Sequence, residues 1–164
     1  MLKQEINLKK LANFIVQAKK NTYASTNIKE IKSERSGFKE LEYRKNNFYY
    51  RDSYSGFFNA PGQEIVRIDN HPVWAMAYSG GMIEKLHENT EFALQTFNFL
   101  KKCLLKISID KPYRGPDIFK EKEWKYTNKL TGNIKNFSGL EKIYYNDKLV
   151  FRQNYIGGLI INKE

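Results

Sequence analysis

The sequence predicts an α+β fold made of two similar halves, each a helix followed by an antiparallel meander of strands. The first observation is an internal repeat: the sequence pattern of residues 48–83 recurs at 124–160 with one extra residue. The second is periodicity: apolar residues recur at helical spacing before each copy and alternate within it. We therefore expect one domain, 1–164, with a pseudo-twofold curved sheet and two helices, in which repeat one spans about 6–83 and repeat two about 90–160.

Matching positions of the two copies carry the same or a similar residue. Identical positions are Tyr50/Tyr126, Gly56/Gly132, Gly62/Gly139, Glu64/Glu141, Val73/Val150, Tyr78/Tyr155 and the pairs Gly80-Gly81/Gly157-Gly158. Similar positions are Phe48/Trp124, Asp52/Asn128, Val66/Ile143 and Trp74/Phe151. We expect the two segments to superpose, with the same number of strands and the same pairing order.

The first half begins with a predicted helix over about Ile6–Thr22. Its apolar face carries Leu8, Leu11, Ile15 and Ala18, and we place Lys9, Asn13, Lys19 and Lys20 on the other side. Residues 23–37 read as loop. The strands are predicted at 38–43, 48–54, 63–69 and 73–78, after which Gly80-Gly81 is expected to break the ladder.

The second half begins with a helix from Thr90 to about Lys106, with Thr90 as its cap. This helix is apolar nearly all round, so we expect it to be the more buried of the two. Residues 111–116 form a rigid connection to the second repeat. Both helices are expected on one face of the sheet. The alternative is a strongly bent sheet wrapped around the second helix, as in hot-dog-like or cystatin-like folds.

The net charge of +10 permits an anionic partner. However, Lys outnumbers Arg 22 to 6 and no run of five like charges occurs, which is typical of a solvated basic surface encoded by an AT-rich genome. We therefore expect at most weak, non-specific nucleic-acid binding.

Metal and cofactor signals are poor. Cys103 is the only cysteine, His71 and His87 are isolated, and no phosphate loop or metalloprotease motif occurs, so we expect no cofactor and no metal. The charged N-terminus lacks a signal-peptide core, and no segment is long and apolar enough for a membrane span. We expect a cytoplasmic protein without a membrane partner, and the sequence leaves its oligomeric state open.

A candidate ligand site lies in the first copy, where strand alternation brings aromatic and acidic residues onto one face. Its predicted ligand-binding residues are Tyr50, Asp52, Tyr54, Glu64, Trp74, Met76 and Tyr78. Trp74 and Tyr78 would supply apolar walls, and Glu64 the charge that orients a cationic or hydrogen-bonding ligand. Glu64→Gln should then weaken binding while leaving stability nearly unchanged.

Copy two keeps a carboxylate at Glu141 but has Asn128 and Gln153 where copy one has Asp52 and Met76. This divergence predicts a single working pocket, with Glu141 kept for architecture. The competing interpretation is that Glu64 and Glu141 sit half-solvated at strand starts and pair with nearby Lys or Arg.

Six stretches resemble a bacterial family catalogued only as a domain of unknown function, number 5680. They are AKKNTYA (18–24), YRDSYSG (50–56), GQEIV (62–66), PVWAMAYSG (72–80), KPYRGP (111–116) and YIGG (155–158). The resemblance covers nearly the whole chain but implies no assigned activity and no catalytic residue. It implies a domain that occurs alone or behind a helix-turn-helix DNA-binding module, a position often held by sensors. Only one helix is readable before Phe48, so we expect no such module in this chain.

Three classes of function therefore remain open. The first is a small-molecule-binding or sensing domain with an aromatic, acidic pocket. The second is a basic module for nucleic-acid or protein interaction. The third is an enzyme that uses Asp52, Glu64 or Glu141 for acid–base chemistry.

Overall fold

A computed structural model describes residues 6–25 and 29–163. In chain order the elements are α1 (Leu8–Asn21), β1 (Glu30–Ile31), β2 (Lys39–Lys45), β3 (Phe48–Tyr54), β4 (Gly62–Ile68), β5 (His71–Met82), a short 3₁₀ turn (Glu84–Leu86), α2 (Thr90–Leu104), β6 (Ile118–Glu121), β7 (Trp124–Asn133), β8 (Asn136–Tyr145) and β9 (Lys148–Leu159). The strands form one antiparallel sheet in the order β1-β2-β3-β4-β5-β9-β8-β7-β6, which confirms the α+β class.

Apart from the short edge strand β1, the strand order is symmetric about the centre of the sheet, where β5 pairs with β9 from Trp74↔Leu159 to Met82↔Phe151. We call β2–β5 half one and β6–β9 half two. The predicted break at Gly80-Gly81 is wrong, because β5 runs through these glycines to Met82. Glycine is needed there for close approach: a Cβ on Gly81 would lie 1.9 Å from the carbonyl oxygen of Phe58.

Matching positions of the two halves make matching pairs. Asp52 pairs with Glu64, which pairs with Met76, and Asn128, Glu141 and Gln153 pair in the same way in half two. Each half has a register shift at the same place, after Val66 in one and after Ile143 in the other. Strand number and pairing order thus agree with the repeat alignment. The duplication itself stays a prediction, because strand pairing does not establish a common origin.

The turns that follow β4 and β8 have matching backbone angles. Asp69 and Asn70 have φ of 49° and 65°, and Asn146 and Asp147 have φ of 47° and 57°. Two consecutive positive φ values belong to the type I′ hairpin turn, in which Asn and Asp are tolerated. These residues therefore set the register of both hairpins.

Both helices lie on the same face of the sheet, which we call the inner face. Leu11 and Ile15 of α1 pack against Tyr50, Trp74 and other residues of the central strands. The second cluster joins α2 to half two through Phe99, Leu100, Cys103, Tyr126, Ile143 and Phe151. The sheet is not wrapped around α2 alone, because α1 covers its own part of the inner face.

Both helices are capped by asparagine. The side chains of Asn7 and Asn89 accept hydrogen bonds from the backbone amides three residues later. Thr90 is therefore the first helical residue and not the cap. The expectation that α2 is the more buried helix is also wrong, because α1 buries seven of its 14 residues and α2 buries six of its 15.

The position of Lys19 differs from the expectation most sharply. It follows Ile15 by four residues and so lies on the same helical face, where it is buried and not solvated.

The strands β1 and β6 fall in stretches that the sequence pattern did not predict as strands. Across the described ranges, neither helix has the length and apolarity needed to span a bilayer.

Equivalent glycines lie beneath equivalent tyrosines in the two halves. A Cβ on Gly62 would lie 2.3 Å from Tyr78 Oη, and a Cβ on Gly139 would lie 2.1 Å from Tyr155 Cζ. We expect Gly62→Ala and Gly139→Ala each to destabilise the protein by about 1–3 kcal/mol through overpacking. The midpoint of urea unfolding measures this, with exposed Ser138→Ala as the control. Equal midpoints for all three variants would show that the tyrosines do not pack on these glycines.

Candidate functional site

Polar side chains form a row across the middle of the apolar inner face. Asp52, Glu64 and Glu141 are all 3% exposed or less, and Asn128 and Gln153 are buried beside them. A buried carboxylate must be paired, hydrogen-bonded or protonated, because its desolvation is otherwise too costly. The partners of each group therefore determine what this row can do.

Glu64 pairs with the buried lysine of α1. Lys19 Nζ lies 2.6 Å from Glu64 Oε2 and also donates to the carbonyl oxygen of Tyr113, 2.5 Å away. The contact with Glu64 is an ion pair and not a well-aligned hydrogen bond. Burial lowers the pKa of Lys19, and the charge of Glu64 opposes that shift. This pair fixes α1 and the 111–116 connection over half one.

Glu141 is the most fully hydrogen-bonded carboxylate of the row. Its Oε1 accepts from Nε and Nη2 of Arg114, at 3.0 Å and 2.7 Å, and from Nε2 of Gln153 at 2.9 Å. Its Oε2 accepts from the hydroxyl of Tyr126 at 2.7 Å. Arg114 comes from the connection between α2 and β6, so Glu141 anchors that connection to half two.

Asp52 and Asn128 are equivalent, and so are their partners. The hydroxyl of Tyr78 donates to Asp52 Oδ1 at 2.7 Å, and the hydroxyl of Tyr155 donates to Asn128 Oδ1 at 2.8 Å. Asn128 also donates through Nδ2 to the carbonyl oxygen of Gly115. These two positions therefore share one geometry and differ in charge, because half one has a carboxyl there and half two has an amide.

Asp52 has the pKa that matters most for chemistry. Burial raises it to about 7, and the charge of Glu64 adds to the shift, while the hydrogen bond from Tyr78 and the charges of Lys19 and Arg114 oppose it. Burial and the nearby Asp52 also raise the pKa of Tyr78, so its hydroxyl remains a donor. Asp52 can thus exchange a proton near neutral pH.

A main cavity of about 260 Å³ opens between α2, the 56–60 loop and the inner face of the sheet. Asp52, Tyr78, Arg114 and Gln153 contribute polar groups to its lining from the inner face and the 111–116 connection, and further polar groups come from Glu30, Lys39, Asn98 and Lys101. Its remaining lining includes Tyr23, Tyr54, Phe57, Leu94, Phe97, Leu100 and Phe151. Few convergent polar groups within an apolar wall are typical of small-molecule sites.

A small gap of about 10 Å³ lies beside the main cavity, among Lys19, Tyr50, Asp52, Glu64 and Arg114. Its volume and polar lining suit one water molecule. Asp52 and Arg114 line both spaces, so they lie between the Lys19–Glu64 pair and the main cavity.

The structure brings together only part of the predicted site. Asp52, Tyr54 and Tyr78 line the main cavity, whereas Tyr50 and Glu64 reach only the small gap. Trp74 and Met76 are fully buried core residues that line neither space, and Trp74 stacks on Phe137. The buried acid of the main cavity is therefore Asp52 and not Glu64, while the exposed Glu30 lies at its rim. Both glutamates are paired as the competing interpretation expected, but they are buried and not half-solvated.

Four contributors were missed: Lys19, Arg114, Gln153 and the α2 residues of the cavity wall. A lysine in register with an apolar helical face was the available signal for Lys19. The sequence comparison treats Gln153 only as the polar counterpart of Met76, whereas in the structure its side chain donates a hydrogen bond to Glu141. Nothing in the local pattern of 111–116 indicates that the side chain of Arg114 binds Glu141 of β8.

The six stretches that carry the family resemblance meet at this network. Lys19, Asp52, Glu64, Tyr78, Arg114 and Tyr155 each come from a different one of them. Within residues 6–25 and 29–163 no group of three His, Cys, Asp or Glu side chains could hold a metal ion.

Pairing with Lys19 changes the expected effect of Glu64→Gln. Because the substitution leaves a buried lysine with less compensation, we expect it to destabilise the protein by about 3–5 kcal/mol. The double variant Lys19→Met/Glu64→Gln should recover most of that loss, since neither charge remains. Denaturant unfolding of both variants measures this.

The matched control is the exposed pair Lys102–Glu121, where Glu121→Gln should cost less than about 1 kcal/mol. A cost for Glu64→Gln no greater than that of Glu121→Gln would contradict the buried ion pair.

A family model supports the resemblance. The model of a domain of unknown function, DUF5680, matches residues 52–160, which include β4–β9, α2 and the whole polar row. No curated protein matches the chain, and no solved structure matches it. The family description names no activity, so the function must be argued from the residues themselves. With well over half of its length matched, this chain belongs to the DUF5680 family.

Proposed function

We propose that this chain is a small-molecule-binding or sensing domain whose ligand occupies the main cavity. The observation that carries the proposal is Asp52, a buried carboxyl with a pKa of about 7 in the lining of a cavity whose wall is partly aromatic. A group held near its titration midpoint costs little to ionise or to protonate when a ligand arrives.

The wall of the main cavity supports a ligand with an apolar body. Phe57 and Phe97 pack edge to face at 5.3 Å, and Tyr23 and Tyr54 do so at 6.2 Å. Burial raises the pKa of Tyr23 to about 12, so its hydroxyl is neutral and can donate a hydrogen bond. Aromatic side chains of this kind dominate binding energy when a ligand displaces water from them.

The charges of the lining support a polar ligand head. Arg114 is paired with Glu141, and Lys39 lies 3.9 Å from Glu30 at the rim. Among the described lining residues, Asp52 and Lys101 are the charged groups without an ion-pair partner. A cationic or hydrogen-bond-donating group suits Asp52, and an acceptor at the other end suits Lys101.

Acid–base catalysis is the second candidate, and the same pKa favours it. A general acid or base works best with a pKa near the working pH, and the Tyr78 hydroxyl holds Asp52 in a fixed orientation. Glu64 is a poorer partner than the sequence suggested, because Lys19 holds it beneath α1. If a bound molecule is turned over, Asp52→Asn should abolish turnover while retaining binding.

The test is an NMR fragment screen that includes small aromatic amines and their neutral hydroxyl isosteres. Hits should shift the amide resonances of Gly80, Gly81 and Gln153, which line the main cavity. Because Asp52 titrates at about 7, an amine that remains cationic should bind roughly tenfold more tightly at pH 8 than at pH 6. Its neutral isostere should show little such dependence, and Asp52→Asn should remove the dependence for the amine.

Ala60→Phe supplies the blocking variant, because Ala60 lines the main cavity and the larger side chain would fill it. Ala77→Phe is the matched control on the opposite, exposed face of the sheet. Hits that survive Ala60→Phe but are lost with Ala77→Phe would place the ligand on the wrong face and contradict the proposal.

A further inference from the structure

The outer face of the sheet, which carries no helix, is strongly basic in half two. Five cations lie on it, which we call the basic face: Lys120, Lys125, Lys129, Lys142 and Arg152. The two carboxylates within these strands point the other way, because Glu141 binds Arg114 and Glu121 pairs with Lys102 of α2. Within the described residues, none of the five cations has an ion-pair partner.

The strand register places like charges directly opposite one another. Lys120 pairs with Lys125 across β6 and β7, and Lys142 pairs with Arg152 across β8 and β9. Like charges at directly opposite positions of a sheet are destabilising. The free protein therefore carries a repulsion on this face that an anionic partner would relieve.

Half one shows that the fold does not require this charge. The positions equivalent to Lys129, Lys142 and Arg152 are Ser53, Ile65 and Ala75. Half one has three arginines on its outer face. Arg51 pairs with Glu34 and Glu40, Arg44 pairs with Glu42, and Arg67, which lies over the ring of Tyr49, has no ion-pair partner among the described residues. The cluster of five unpaired cations is thus found in half two.

A broad hollow of about 540 Å³ adjoins the basic face. Its lining includes Lys129, Leu140, Asn154 and Ile156, and Ile156 is 60% exposed. Tyr144 lies on the same face, with Lys125 Nζ 5.6 Å from its ring. Cations therefore border an uncharged surface that can receive apolar or aromatic groups.

We infer that the basic face binds single-stranded nucleic acid, weakly and without sequence selectivity. Four strands and three rows of side chains give an area of roughly 14 by 13 Å, from the usual spacings of a sheet. A single strand can place phosphates on the cations and bases on Tyr144 and the hollow, as sheet platforms for single strands do. A planar bilayer would not reach into the hollow, and a duplex offers no unstacked bases to it.

The probe is a fluorescein-labelled oligothymidine of about 12 nucleotides, within the range of site sizes for such platforms. With five phosphate contacts, log K should fall against log salt with a slope of about −3.5. Lys142→Gln/Arg152→Gln should reduce the magnitude of the slope by about 1.4 and weaken binding roughly tenfold or more at low salt. The same variant should raise the melting temperature of the free protein, because it removes an opposed cationic pair.

The matched control is Lys9→Gln/Lys10→Gln on the exposed side of α1, which removes the same charge at a distance. Equal losses in both double variants would show a general charge effect and overturn the inference. Tighter binding to the duplex of the same length, or binding to phosphatidylserine vesicles without oligonucleotide binding, would also overturn it. Ala60→Phe, which blocks the main cavity, should leave oligonucleotide affinity unchanged, so this inference and the proposed function fail separately.

Discussion

The pairing of buried charges beneath α1 is the constraint on which the rest of this structure depends. Lys19 and Arg114 come from segments outside the sheet, and each meets a carboxylate on the inner face. These contacts hold α1 and the 111–116 connection over the two halves and enclose Asp52 in a low-dielectric position. Replacing a buried ion pair by apolar residues often stabilises a protein, so stability alone is a weak explanation for these two pairs. Their position beside Asp52 and the main cavity is a stronger explanation.

Comparison of matching positions shows where the two halves differ in charge. The hydrogen bond from Tyr78 to Asp52 is repeated as that from Tyr155 to Asn128, with a charge only in half one. On the outer face the difference is reversed: half two carries five unpaired cations, whereas half one pairs Arg44 and Arg51 with glutamates and leaves Arg67 unpaired among the described residues. One sheet thus has an enclosed cavity with a buried carboxyl on its inner face and an open basic surface on its outer face.

Local patterns predicted the fold well and the site less well. The repeat, the alternation within strands and the helical spacing of Leu11 and Ile15 are local, so helix positions and the meanders could be predicted from them. The break predicted at Gly80-Gly81 is wrong because a glycine pair is compatible both with a strand end and with a close approach of backbones. Only the pairing of β5 with β9 distinguishes these two cases. The site depends on contacts distant in sequence, such as Lys19 with Glu64 and Arg114 with Glu141, which no local pattern specifies. Trp74 could not be told from a cavity residue, because both positions require an apolar face.

The central claim is that Asp52 is enclosed by this network and titrates near neutral pH in the lining of the main cavity. A ¹³C NMR titration of the aspartate side-chain carboxyl carbons measures this directly, with the Asp52 resonance assigned by its loss in Asp52→Asn. The account predicts a midpoint at about 7. A midpoint at the ordinary value of about 4 would mean that Asp52 is hydrated or fully neutralised by a cation, and would contradict the account.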